Sequence, residues 1–133
     1  MIKLLIGGKG SGKTKTLIEL ANKAAVETKG SVVCIEKGDT LKLDVSSRIR
    51  LVDAGAYDIG CGSCFYGFVA GILASNYDIT DLFIDSSMKL CAGDVAAFES
   101  FVTRLAKISS DINVVISASL AQEDCPESLK AFV

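Results

Sequence analysis

Short aliphatic runs along this chain alternate with longer segments whose apolar positions recur three and four apart, the rhythm of a parallel sheet covered by helices. Ile2 to Ile6 is almost wholly aliphatic and predicts a first strand. After it, Leu17, Leu20, Ala21, Ala24 and Ala25 share one helical face, and that helix is expected to stop near Lys29-Gly30, where Gly30 suits a C-cap. Ser31 to Glu36, with Val32, Val33, Cys34 and Ile35, predicts a second strand. Ile49, Leu51 and Val52 alternate with Arg48 and Arg50, a pattern expected at a sheet edge with one wet face.

From Cys64 to Asn76 the positions Phe65, Phe68, Val69, Ile72 and Leu73 line one side of a helix, with Gly67 and Gly71 spaced for close approach. The uncharged stretch Ile59 to Ser75 reaches only the lower limit for crossing a bilayer, and its glycines and place between strands favour a buried helix. Leu82 to Asp85 predicts a strand. Gly93 and the cap Asp94 precede a helix with Phe98, Phe101, Val102, Leu105 and Ile108 inward. Ile112 to Ile116 predicts the last strand, and Pro126 opens a short terminal helix that returns Leu129 and Phe132 to the body. The expected fold is therefore α/β in three layers, a mostly parallel sheet of four to five strands with helices on both faces.

Between the first strand and the first helix stand Gly7-Gly8-Lys9-Gly10-Ser11-Gly12-Lys13-Thr14, which match Gly-x4-Gly-Lys-Ser/Thr, the phosphate-binding P-loop. With this composition the pattern arises by chance about once in a hundred such chains, and the strand and helix around it lower that further. The chemistry needs these residues in this order. Backbone N–H groups converge on phosphate oxygens where side chains do not intervene, as at Gly7, Gly8, Gly10 and Gly12. The helix start adds its positive end, Lys13 reaches the outer phosphates, and the Thr14 hydroxyl suits magnesium. Lys9 belongs to the same loop, where contact with phosphate competes with simple solvation.

Composition narrows the picture. The 133 residues suit one domain over positions 1–133, and half are hydrophobic, enough for one sheet covered on both sides. A net charge of −2 and only three arginines, Arg48, Arg50 and Arg104, argue against nucleic acid as a partner. The N-terminus runs straight into the first strand without the pattern of a secretory signal, so a cytoplasmic location is expected. Five cysteines are present, Cys34, Cys61, Cys64, Cys91 and Cys125. Small core residues are the expectation for all of them; a redox pair at Cys61-Gly62-Ser63-Cys64, or a zinc site joining these to Cys91 and Cys125, is the alternative.

An acid at the carboxyl end of a strand beside a P-loop binds magnesium through water, the Walker B role, and Asp85 fits it better than Asp53. ATPases of the RecA-like class often carry glutamate directly after that aspartate, whereas Ser86 and Ser87 follow here. Glu36, ending the second strand, is the candidate to position the attacking water, against a plain solvated strand-end acid. Ser117 or Ser119, beyond the last strand, can sense the γ phosphate.

The chain resembles small stand-alone bacterial P-loop NTPases of similar length, sometimes labelled twitching-motility or pilus-retraction proteins. The resemblance runs the full length, through the P-loop, Phe65-Tyr66-Gly67-Phe68, Asn76-Tyr77-Asp78-Ile79, Ile84-Asp85 and the Pro126 tail. It implies an ATP-binding P-loop NTPase fold, with Gly12, Lys13, Thr14 and Asp85 at the nucleotide and magnesium positions. It does not support the motility label, because pilus-retraction ATPases are longer and use histidine motifs, and this chain has no histidine. Two functions follow. One is a Mg-dependent ATPase with Lys13 and Glu36 catalytic; the other is a nucleotide switch that binds, hydrolyses little and recruits a protein partner. A small-molecule kinase lacks its arginine-rich lid, and a GTPase lacks the Asn-Lys-x-Asp specifier.

Overall fold

A computed structural model describes all residues from Met1 to Val133. Five strands, β1 (Ile2–Gly7), β2 (Ser31–Glu36), β3 (Ile49–Asp53), β4 (Ile79–Ile84) and β5 (Asn113–Ser119), form one sheet in the order β1-β5-β4-β2-β3. Every adjacent pair of strands is parallel, so the sheet is wholly rather than mostly parallel. Four α-helices accompany it: α1 (Lys13–Glu27), α2 (Gly62–Ser75), α3 (Ser87–Leu90) and α4 (Val95–Ile108). Short 3-10 turns occupy Ala54–Tyr57, Gln122–Asp124 and Glu127–Phe132.

Strand order and handedness together decide where the helices lie. From β1 to β2 and on to β3 the chain moves across the sheet in one direction; from β3 to β4 and β5 it comes back. Right-handed crossovers then place α1 and the 37–48 connection on one face, and α2 and α4 on the other. The two apolar clusters follow this division. Leu17, Ala21 and Ala25 of α1 pack with Val32, Cys34, Phe83 and the loop residue Leu41. Phe65 and Val69 of α2 and Phe98, Phe101, Val102 and Leu105 of α4 pack with Val33, Ile35, Leu82, Ile84 and Ile116. The rings of Phe65 and Phe101 stack 4.5 Å apart and join α2 to α4.

Glycines and helix ends show where spacing alone misleads. The first helix stops at Glu27, short of the expected end, and Gly30 has another task. A Cβ at Gly30 would lie 2.2 Å from the Asp78 carbonyl oxygen, so the approach of β2 to the start of β4 requires glycine. Gly67 and Gly71 face open space, whereas Gly62 is the close contact, its absent Cβ 3.0 Å from that of Ala97 on α4. Ile108, expected inward, is exposed, while Ser109 after it is buried and donates to the Leu105 carbonyl. Asp94 caps α4 by accepting from the Ala97 N–H at 3.2 Å. No helix is long and apolar enough to cross a membrane.

Candidate functional site

At the carboxyl ends of the strands, the segment leaving β1 turns to one face and the segments leaving β4 turn to the other. A crevice opens between them above β5, the place where open parallel sheets bind ligands.

The loop after β1 forms its first wall. Gly10 and Gly12 hold φ values of 83° and 86°, left-handed conformations that side chains disfavour. Gly7, at φ 148°, is likewise in a region that side chains disfavour, and a Cβ there would in addition stand 2.7 Å from Ser11 Oγ. The start of α1 carries no side-chain cap and no acid in its first turn. Thr16 N–H, donating to Gly12 O at 3.1 Å, makes the first helical bond, and the N–H groups of Lys13, Thr14 and Lys15 find no backbone acceptor. Uncapped amides and the positive end of a 15-residue helix thus stand together, an arrangement suited to an anion. Lys13 Nζ curls over the loop, donating to Gly8 O at 2.8 Å and lying 3.4 Å from Ser11 Oγ.

The second wall follows β4. Asp85 is 7% exposed. Thr14 Oγ1 donates to its carboxylate at 3.1 Å, linking residues 71 apart in sequence. Ser117 on β5, between the two walls, donates to the same oxygen, Asp85 Oδ1. Beyond Asp85 the backbone turns through Ser86, whose φ of 61° is unusual for a residue with a side chain. The enclosed volume is about 400 Å³; Lys9, Gly10, Lys13 and Thr14 face Asp85, Ser86, Met88 and Lys89 across it, with Ser117, Ser119 and Thr40 completing the lining. A somewhat larger groove, about 500 Å³, lies between β3 and α2 among Arg48, Arg50, Tyr57 and Phe68, away from the glycine-rich loop. Size alone therefore does not select the site.

Two of the sequence candidates sit elsewhere. Asp53 Oδ1 accepts from Gly38 N–H at 2.7 Å and Gly55 N–H at 2.8 Å, bracing two loops. Glu36 is buried, and both its oxygens are engaged: Oε1 accepts from Thr40 N–H and Oγ1, and Oε2 from Leu41 N–H at 3.0 Å. The glutamate holds the segment after β2, and that segment presents Thr40 to the cleft. Thr40, Ser86 and Lys89 are cleft residues that sequence reasoning missed. Only the position of Ser86 and Lys89 shortly after Asp85 offered any signal for them.

The cysteines divide. Cys34, Cys91 and Cys125 are buried and free, as core residues. Cys34 lies in the apolar cluster under α1, where burial, with the charges of Glu36 and Asp85 adding to it, pushes its thiol up to about 12. Cys61 and Cys64 correct the expectation that all five are core residues, because they are bonded to each other. The reason is local: Cys61 is the N-cap of α2, in extended conformation, and its sulfur folds back over the first turn to meet Cys64. No group of three histidine, cysteine or acidic side chains forms a zinc-like cluster.

No known protein-family model matches the chain, and a search of curated proteins found no significant match.

Proposed function

We propose that the cleft binds a nucleoside triphosphate, ATP, together with magnesium. The observation that carries this reading is the meeting of two halves of a site: uncapped amides and Lys13 at the start of α1, and the Thr14–Asp85 oxygen pair beside them. The amides and Lys13 hold the phosphates. Thr14 Oγ1 and the Asp85 carboxylate are hard oxygen donors of the kind magnesium prefers, Thr14 for direct contact and Asp85 through water. Bound there, the metal would offset charge on the outer phosphates. In exchange for the triphosphate, the Lys13 ammonium gives up its neutral acceptors Gly8 O and Ser11 Oγ for charged oxygens, worth roughly 1.5 to 3 kcal/mol per contact.

Hydrolysis of RecA-like type assigns Glu36 to the attacking water. For that role its carboxylate must let go of Thr40 and Leu41 and turn to the cleft. A specific observation favours the second reading, a nucleotide switch with slow turnover: Asp85 is the only carboxylate lining the cleft. In that reading the 37–48 segment, tied by Glu36 and touching the cleft through Thr40, reports nucleotide to a protein partner. The setting is cytoplasmic in both readings.

Calorimetric titration with ATP and GTP, followed by a phosphate-release assay on wild type and Glu36→Gln, separates these readings. ATP binding with release lost in Glu36→Gln supports the ATPase; binding without release in wild type supports the switch. A protein that takes up no nucleotide overturns both.

A further inference from the structure

The bonded pair at the start of α2 has no part in the nucleotide reading. Cys64 is exposed and Cys61 half-buried, in contrast to the three enclosed cysteines. Cys61 Sγ accepts from Cys64 N–H at 3.1 Å, and the Ser63 hydroxyl lies 3.6 Å from it. Both donors, and the positive end of a 14-residue helix with no acid in its first turn, remain in place if the bond opens and Cys61 becomes a thiolate. Those surroundings stabilise a thiolate as it leaves.

A structural purpose for the bond is weak. It closes a loop of sequence separation 3, and short loops constrain the unfolded chain least. The first turn of α2 is already fixed by Gly62 against Ala97 and by Phe65 stacked on Phe101. The residues between the two sulfurs, Gly62 and Ser63, also form the rim of a cleft of about 250 Å³ whose far side is Ser100, Phe101 and Arg104 of α4. Arg104 lies with its guanidinium carbon 3.8 Å from the centre of the Tyr66 ring, which leaves a cation beside the opening.

From these observations we propose that Cys61 and Cys64 are a thiol–disulfide exchange site for a small thiol bearing carboxylates. The thiolate of the incoming molecule attacks the exposed Cys64 Sγ, forming a mixed disulfide as the Cys61–Cys64 bond breaks. Cys61 leaves as a thiolate held by Cys64 N–H and takes up a proton. A second molecule of thiol attacks the outer sulfur of the mixed disulfide and releases Cys64, which is protonated in turn. Two electrons and two protons pass to the protein, and two thiols become one disulfide. With an oxidised partner the same steps run backwards.

The test uses the full folded chain and glutathione, a thiol with carboxylates. Equilibrated with reduced and oxidised glutathione and then alkylated, the protein should gain two labels, at Cys61 and Cys64, as the mixture becomes more reducing within the range of cellular glutathione poise; Cys34, Cys91 and Cys125 should stay unlabelled until unfolding. Cys61→Ser keeps an N-cap oxygen, so the fold is expected to survive, and should accumulate a stable glutathione adduct on Cys64. In Cys64→Ser, Cys61 should react with iodoacetamide at neutral pH about threefold or more faster in the folded protein than in urea. A bond that stays closed throughout that range, or a Cys61 no faster folded than unfolded, overturns the proposal.

Discussion

Asp85 receives hydroxyl groups from two elements, Thr14 on α1 and Ser117 on β5, and a metal with its water shell replaces such donors readily. Asp85→Asn keeps the shape and removes the charge. Its ATP affinity in magnesium should fall by about tenfold or more, while affinity in a chelator changes little, a contrast that calorimetry reads directly. An equal loss in both conditions would make Asp85 a fold residue only. The geometry of the glycine-rich wall of the crevice was legible because residue type and local spacing determine it: glycines set the loop between β1 and α1, and lysine and threonine follow at the helix start. The fate of Glu36 was not, because its partners Thr40 and Leu41 come to it through the turn of the 37–45 segment, and nothing local in the sequence announces that turn.

Among the elements, α4 was the most legible, since a strong apolar stripe and the Asp94 cap specify both its face and its start. Only its last turn departs, with Ile108 exposed. In α2 the stripe was visible but weaker, and the glycines were not legible, because their meaning depends on which neighbour approaches and how closely. That difference is measurable. Gly67→Ala adds a methyl to an exposed helical position with open space and should stabilise by roughly 0.5 to 1 kcal/mol. Gly30→Ala drives a methyl into the Asp78 carbonyl and should destabilise by roughly 1 to 3 kcal/mol. Urea unfolding of the two variants gives the signs; a harmless Gly30→Ala would refute the close approach. The disulfide stood only as the alternative at this scale, because adjacent Cys-x-x-Cys thiols pair only when the N-cap sulfur folds back over the first turn.

At the scale of the molecule, alternation of strands and helices was enough to predict three layers, and the handedness rule explains which helix covers which face. The edge place of β3 was legible from its alternation, but the rest of the strand order was beyond the sequence, since it depends on how far each crossover carries the chain; the result places β5 between β1, which feeds the glycine-rich loop, and β4, which ends at Asp85. The apolar layer between α1 and the sheet sets the environment of Cys34. Its thiol ordinarily titrates near 9.0 and is raised to about 12 in the fold. The folded protein therefore keeps a proton that the unfolded chain releases, so the contribution is complete below 9.0 and is lost as pH rises toward 12. Between about pH 8 and about pH 10, wild type should lose roughly 1 kcal/mol more stability than Cys34→Ala, whose buried site no longer titrates. Parallel pH profiles from urea unfolding would argue against a buried thiol at Cys34.

The most direct measurement is a calorimetric titration of Mg·ATP into wild type and Lys13→Ala. The proposed nucleotide site predicts one saturable event in wild type and a loss of at least about tenfold in the variant, the cost of one charge-assisted contact. Equal affinity in the two proteins, or no binding to wild type, would contradict it.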